Sequence, residues 1–246
     1  MQLARPDRSW RGLYRAGGVS ALLFVLMVLV PVALVFLAPL PPTEGAALLA
    51  YIAENKAVYV TQLVCFVGLA VPALIVFAAV AVSLKDVDKS MALSGGLLGV
   101  SSEVIALAMG SSPQSLHGGL VLLSDSYTAA GTPVERAGLA NAADALIAAT
   151  NAVSWAGILT AAGILVLSLV MRRGPFSRAT ALLGVLAGAI GIVSEAFRPM
   201  IGSAYTLYGL MLPVWFAMVG WRLLQFGRPE PTAPRGAGAD PGQVRA

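Results

Sequence analysis

Glu103, Glu195 and Arg198 fall within or at the end of apolar stretches of this 246-residue chain, where water has little access. A carboxyl at such depth is costly when ionised and cheaper when protonated or met by a cation. Each one therefore marks a place where a proton, an ion or a polar ligand could be held. Glu195 and Arg198 are three residues apart, on one face of a helix, and can neutralise each other. Glu103 has no cation that close in sequence. Together with Asn151 and Ser154 these groups could line one polar pocket that binds a cation, a proton or a polar ligand, with His117 and Asp144 capping it. The competing assignment is structural, with Glu195 and Arg198 as an interface pair and Glu103 hydrogen-bonded to a neighbouring helix.

Other chemistries lack their signatures. His117, Glu103, Asp144 and Glu195 carry metal-ligating atoms without a spacing such as H-E-x-x-H, so no metal site is expected. No serine stands in a G-x-S-x-G elbow, no phosphate-binding glycine loop occurs, and Ser101-Ser102 has no partner histidine in sequence. No catalytic residue and no cofactor follow from the sequence. Cys65 is the single cysteine, which excludes an intrachain disulfide.

The elements that must position these groups are set by composition. With 58% hydrophobic and 11% charged residues, and a mean hydropathy of +0.82, the chain has more apolar surface than a soluble core can hide. Continuous apolar runs predict an all-α, polytopic bundle of six transmembrane helices over about 17–40, 57–84, 91–109, 152–171, 179–197 and 204–224. Each can cross about 30 Å of hydrocarbon at about 1.5 Å per residue. The first is read as a retained helix despite its basic leader, because its apolar part is long and ends without a small-residue cleavage site. Residues 1–16 form a basic N-terminus, 17–227 the membrane domain, and 228–246 a tail of proline, glycine and charge expected to be disordered.

Charge sets the orientation. Of the 16 Lys and Arg residues, only Lys56, Arg136 and Arg198 fall on one side of the six spans, and all others on the opposite side. The positive-inside rule then puts both termini in the cytoplasm. A pI near 9.5 would suggest nucleic acid for a soluble protein. Here the basic residues flank apolar runs, so the expected partners are anionic lipid headgroups, with a second copy or another membrane protein possible and nucleic acid not expected. Trp10, Tyr14 and Trp221 are placed as rings at the inner boundary, and Tyr59, Trp155 and Tyr205 at the outer one. The third and fifth helices run outward, and Glu103 lies about 18 Å along the third from Met91, in the outer half.

Outside the spans, Leu48, Leu49 and Ile52 predict a short helix lying on the membrane surface. The largest external segment runs from Gly110 to Asn151. In it Thr132-Pro133-Val134-Glu135 is a capping box with proline at the first helical position. The amphipathic helix it opens, with Leu139, Ala143, Leu146 and Thr150 on one stripe and Asn141, Asp144 and Asn151 on another, should lead into the fourth span.

This order of features resembles a family of uncharacterised bacterial integral membrane proteins, the domain of unknown function 4386 family. The resemblance runs from Tyr14-Arg15-Ala16-Gly17-Gly18 through Ala53-Glu54-Asn55-Lys56, Glu103 and Ala129-Ala130-Gly131 to the turn Gly174-Pro175-Phe176-Ser177-Arg178. The family pattern has an arginine one turn before the third-span glutamate; this chain reads Gly99-Val100-Ser101-Ser102-Glu103. The resemblance implies the six-span fold and brings no activity.

Gly95 with Gly99, and Gly184 with Gly188, are G-x-x-x-G spacings that let helix backbones approach, within one chain or between two copies. Pro31, Pro72 and Pro213 should kink their spans. No inverted repeat relates the two halves of the chain. The functional expectation is a non-enzymatic membrane module such as a scaffold, sensor or accessory subunit. The alternative is a small transporter or ligand- or proton-binding protein built on the Glu103 pocket.

Overall fold

The computed structural model describes residues 6–34, 36–110, 116–201 and 205–229. Among them the chain is helical, without strands: α1 (Arg11–Leu34), α2 (Gly45–Glu54), α3 (Lys56–Gly68), α4 (Ala70–Leu84), α5 (Lys89–Met109), α6 (Gly118–Ala129), α7 (Pro133–Val153), α8 (Gly157–Met171), α9 (Arg178–Ala196), α10 (Arg198–Ile201) and α11 (Tyr205–Phe226). Six helical runs are long and apolar enough to cross a membrane, one at each expected span.

Their ends differ from the expected ones for local reasons. The first run begins at Arg8, because Asp7 accepts the Ser9 N–H and starts a 3-10 turn that leads into α1. It stops at Leu34, before the proline-rich Pro39–Pro42 stretch, which lacks the N–H groups a helix needs. The second span is broken at Leu69 between α3 and α4, where Pro72 has no N–H for the Gly68 carbonyl. Pro31 and Pro213 sit inside uninterrupted helices. The fourth span begins as α7, as its capping box requires: Thr132 Oγ1 accepts the Glu135 N–H at 3.2 Å, and Glu135 Oε2 accepts from Gly131 at 3.1 Å. A 3-10 turn at Ser154–Ala156 joins α7 to α8. The tail expected over 228–246 lies, from residue 230, outside the described residues.

One core fills the bundle of α1, α4, α5, α8, α9 and α11. Phe24 stacks on Phe216 with centroids 3.8 Å apart, and Trp215 packs edge-on to Phe216. The second core is smaller. It gathers Leu48, Leu49 and Ile52 of α2, Tyr59 of α3, Leu120 of α6, and Ala143 and Ile147 of α7. This corrects the reading of α2 as a helix lying on the membrane surface. Its apolar face is buried on protein, Ser124 Oγ of α6 donates to the Leu49 carbonyl, and Asp144 Oδ1 of α7 accepts the Gly45 N–H at 2.6 Å. Tyr14 and Tyr59 are likewise core residues and not boundary rings, since both are fully buried.

Glycines set the closest helix approaches. A Cβ on Gly163 of α8 would fall 2.8 Å from the Gly99 nitrogen and 2.9 Å from the Gly95 oxygen of α5, so the two backbones are in direct contact. Gly184 and Gly188 of α9 face Ser168, Leu165 and Ala161 of α8. Both G-x-x-x-G pairs are therefore occupied within one chain.

Candidate functional site

The α5–α8 contact determines what lies one turn beyond it. The two helices run in opposite directions, so Glu103, four residues after Gly99, meets Thr160, three residues before Gly163. Thr160 Oγ1 lies 3.2 Å from Glu103 Oε1 and 2.5 Å from Ser102 Oγ, and Ser102 Oγ lies 2.7 Å from the Ala156 carbonyl. Each hydroxyl has a single proton to donate. If Ser102 donates to Ala156, the Thr160 proton is left for Ser102 Oγ or Glu103 Oε1; if Ser102 donates to Thr160, Thr160 donates to Glu103 Oε1. Thr160 can make that bond whether Glu103 is protonated or ionised, because a carboxyl accepts in both states.

The second acid arrives from α9. Glu195 lies over Gly157, the first residue of α8, where a Cβ would fall 2.6 Å from its Cδ. Tyr205 donates its hydroxyl to Glu195 Oε1 at 2.7 Å. Arg198 NH1 stands 3.6 Å from Oε2, and its guanidinium lies 4.6 Å over the Tyr205 ring. This is the expected (i, i+3) pair, with the arginine side chain 18% exposed and the glutamate 5%. Tyr208 packs edge-on to Tyr205 and against Gly191.

Glu103, Glu195 and Arg198 line one cavity of about 230 Å3. Ser102, Thr160, Tyr205 and Tyr208 supply its other polar groups, and Phe24, Val28, Phe66, Leu69 and Phe216 an apolar wall. Pro213 and Gly209 also line it. Among the described residues its lining carries two carboxyls and one guanidinium.

No family model matches this chain. Neither a curated protein nor a solved structure matches it either, and its own chemistry is what identifies the site.

Other residues expected at the pocket serve elsewhere. Asn151 is exposed on α7 and does not line the cavity; the side chain of Ser154 lies outside the described residues. His117 and Asp144 do not cap the pocket, because each is used at a helix start. His117 Nδ1 accepts the Gly119 N–H at the head of α6, and Asp144 holds the head of α2. Among the described residues, no group of His, Cys, Asp and Glu side chains gathers to hold a metal ion. The sequence reading missed Thr160, Ser102 and Tyr208, and placed Tyr205 as a boundary ring. A usable signal existed for Thr160, since hydroxyl and acid stand at matching offsets from small residues on antiparallel neighbours.

Proposed function

We propose that this chain is a multi-pass protein of a bacterial cytoplasmic membrane, both termini inside, and a non-enzymatic binding module whose cavity takes a small cation carrying an apolar body. The six apolar runs, the lopsided distribution of Lys and Arg and the resemblance to the domain of unknown function 4386 family support the membrane reading. The observation that carries the ligand reading is the charge balance of the cavity: Glu103 and Glu195 face a single Arg198, beside aromatic and aliphatic walls. With both acids ionised the cavity holds one uncompensated negative charge, which a low-dielectric site tolerates poorly. A proton on Glu103 or a bound ammonium group removes it, and the Thr160 hydroxyl can donate to Glu103 in either state.

The test uses the full chain in neutral detergent. Benzylamine, charged at neutral pH, should raise the thermal unfolding midpoint, while benzyl alcohol of nearly the same shape should not. Glu103→Gln should keep the fold and abolish the benzylamine response. Equal responses to amine and alcohol, or an undiminished response in Glu103→Gln, would overturn the assignment.

A further inference from the structure

A second cavity, of about 600 Å3, lies at the end of the bundle remote from Glu103, between the α8–α9 turn and α11. Arg172, Arg178 and Arg222 line it, with Ser177, Thr180 and Trp221, and no Asp or Glu among the described residues does. None of these three guanidinium groups forms an ion pair with an Asp or Glu among the described residues.

Arg222 is held in place before any ligand arrives. Its Nε donates to the Pro175 carbonyl at 2.8 Å, its NH1 donates to Gln225 Oε1 at 2.6 Å, and its plane lies 5.0 Å over the Phe226 ring. Those contacts use two of five N–H donors. Ser177 caps α9, with its Oγ accepting the Thr180 N–H at 3.0 Å, so the positive end of a 19-residue helix adds to the same field. Three guanidinium groups gathered around a roomy, acid-free cavity match the geometry of a phosphate, which accepts paired N–H bonds.

The surroundings distinguish a lipid from a soluble anion. From Arg178 an exposed apolar stripe runs along α9 through Leu182 and Leu186, and from Trp221 another runs along α11 through Val214 and Leu210. Both begin at the cavity rim. A headgroup in the cavity would place its acyl chains against them.

We propose that this cavity is a binding site for a phosphate-bearing anion, the phosphodiester headgroup of an anionic phospholipid.

The experiment uses the full chain in neutral detergent, titrated with phosphatidylglycerol, phosphatidylcholine or inorganic phosphate and read by native mass spectrometry and by thermal unfolding. Phosphatidylglycerol should remain bound at one molecule per chain and raise the unfolding midpoint, and phosphatidylcholine should do neither. Arg178→Gln, at an exposed position where the fold does not depend on the side chain, should weaken phosphatidylglycerol binding by about tenfold, the loss of one charge-assisted hydrogen bond. Arg222→Lys should weaken it similarly while keeping the charge, because the fixed fork is lost. Arg136→Gln, the same charge change at the other end of the molecule, should leave binding intact. Equal binding of the two lipids, or an equal loss in Arg136→Gln, overturns the site. Inorganic phosphate stabilising the chain as well as the lipid overturns the lipid assignment.

Discussion

Replacing Gly163 by alanine tests the contact on which the Glu103 site depends. The added methyl would meet the Gly99 nitrogen at 2.8 Å, the Gly95 oxygen at 2.9 Å and the Gly99 Cα at 3.1 Å, all backbone atoms that no rotamer change can move. Ordinary contact begins at 3.4 Å, so α8 must retreat from α5 by roughly 0.5 Å over their shared length. Overpacking of this kind costs about 1–3 kcal/mol. Alanine also gains about 1 kcal/mol of helix propensity over glycine, which would mask part of the loss. Gly138→Ala supplies the correction: Gly138 is in α7, exposed, with nothing within 4 Å of its would-be Cβ. The difference between the two variants isolates the clash at about 1–3 kcal/mol, in the upper part because backbone faces backbone. At about 2–4 °C per kcal/mol for a chain of this size, Gly163→Ala should melt roughly 4–12 °C below Gly138→Ala. The same retreat draws Thr160 away from Glu103, so the benzylamine response should fall with it. Gly163→Ala melting as high as Gly138→Ala would refute the proposed backbone contact and the placement of Thr160 that follows from it.

The Lys85 ammonium, donating to Asp7 Oδ2 at 2.8 Å, and the N–H and hydroxyl of Ser9 hold the Asp7 carboxyl at about 2, below its ordinary 3.8. The folded value is the lower one, so this contact stabilises the chain above the ordinary value, and its contribution is lost as the pH falls towards 2. The melting difference between wild type and Asp7→Asn should therefore be present at pH 6 and vanish near pH 2; a difference constant with pH would contradict it. Asp144→Ala removes the acceptor for the Gly45 N–H and should cost about 1 kcal/mol, read as faster amide exchange confined to α2. Cysteines at Lys89 and Arg173 should be shielded from an impermeant thiol reagent in intact cells while one at Arg136 reacts, against a low background because Cys65 is buried; the reverse pattern would invert the orientation.

Sequence patterns carried the architecture as far as they act locally. Six long apolar runs, the Thr132 capping box and the three-residue spacing of Glu195 and Arg198 are short-range signals, and each has its counterpart in the structure. What escaped depends on neighbours distant in the chain. The apolar part of α6 is the unbroken run Leu120-Val121-Leu122-Leu123, which has no helical period, and its inward face is set by α2 and α7. Tyr205 at the start of α11 looks like any boundary ring until the fold brings its hydroxyl to Glu195. Asp144 and His117 were drawn to the pocket by their chemistry, whereas unfilled helix starts nearby claimed them. Asn151 is exposed on α7, away from the cavity, although Asp144 on the same stripe reaches α2.

The molecule has two hydrophobic cores that share no residue. The chain crosses from one to the other at four places, and at three of them a residue of the Glu103 cavity stands at the crossing: Leu69 at the break before α4, Gly110 at its positive φ of 81°, and Ala156 and Gly157 at the 3-10 junction. At Leu69, Gly110 and Ala156 the backbone is outside the α-helices as the chain passes from one core to the other. Walls of the cavity belong to both cores. A molecule that filled it would therefore touch both, and its size would bear on how closely they pack.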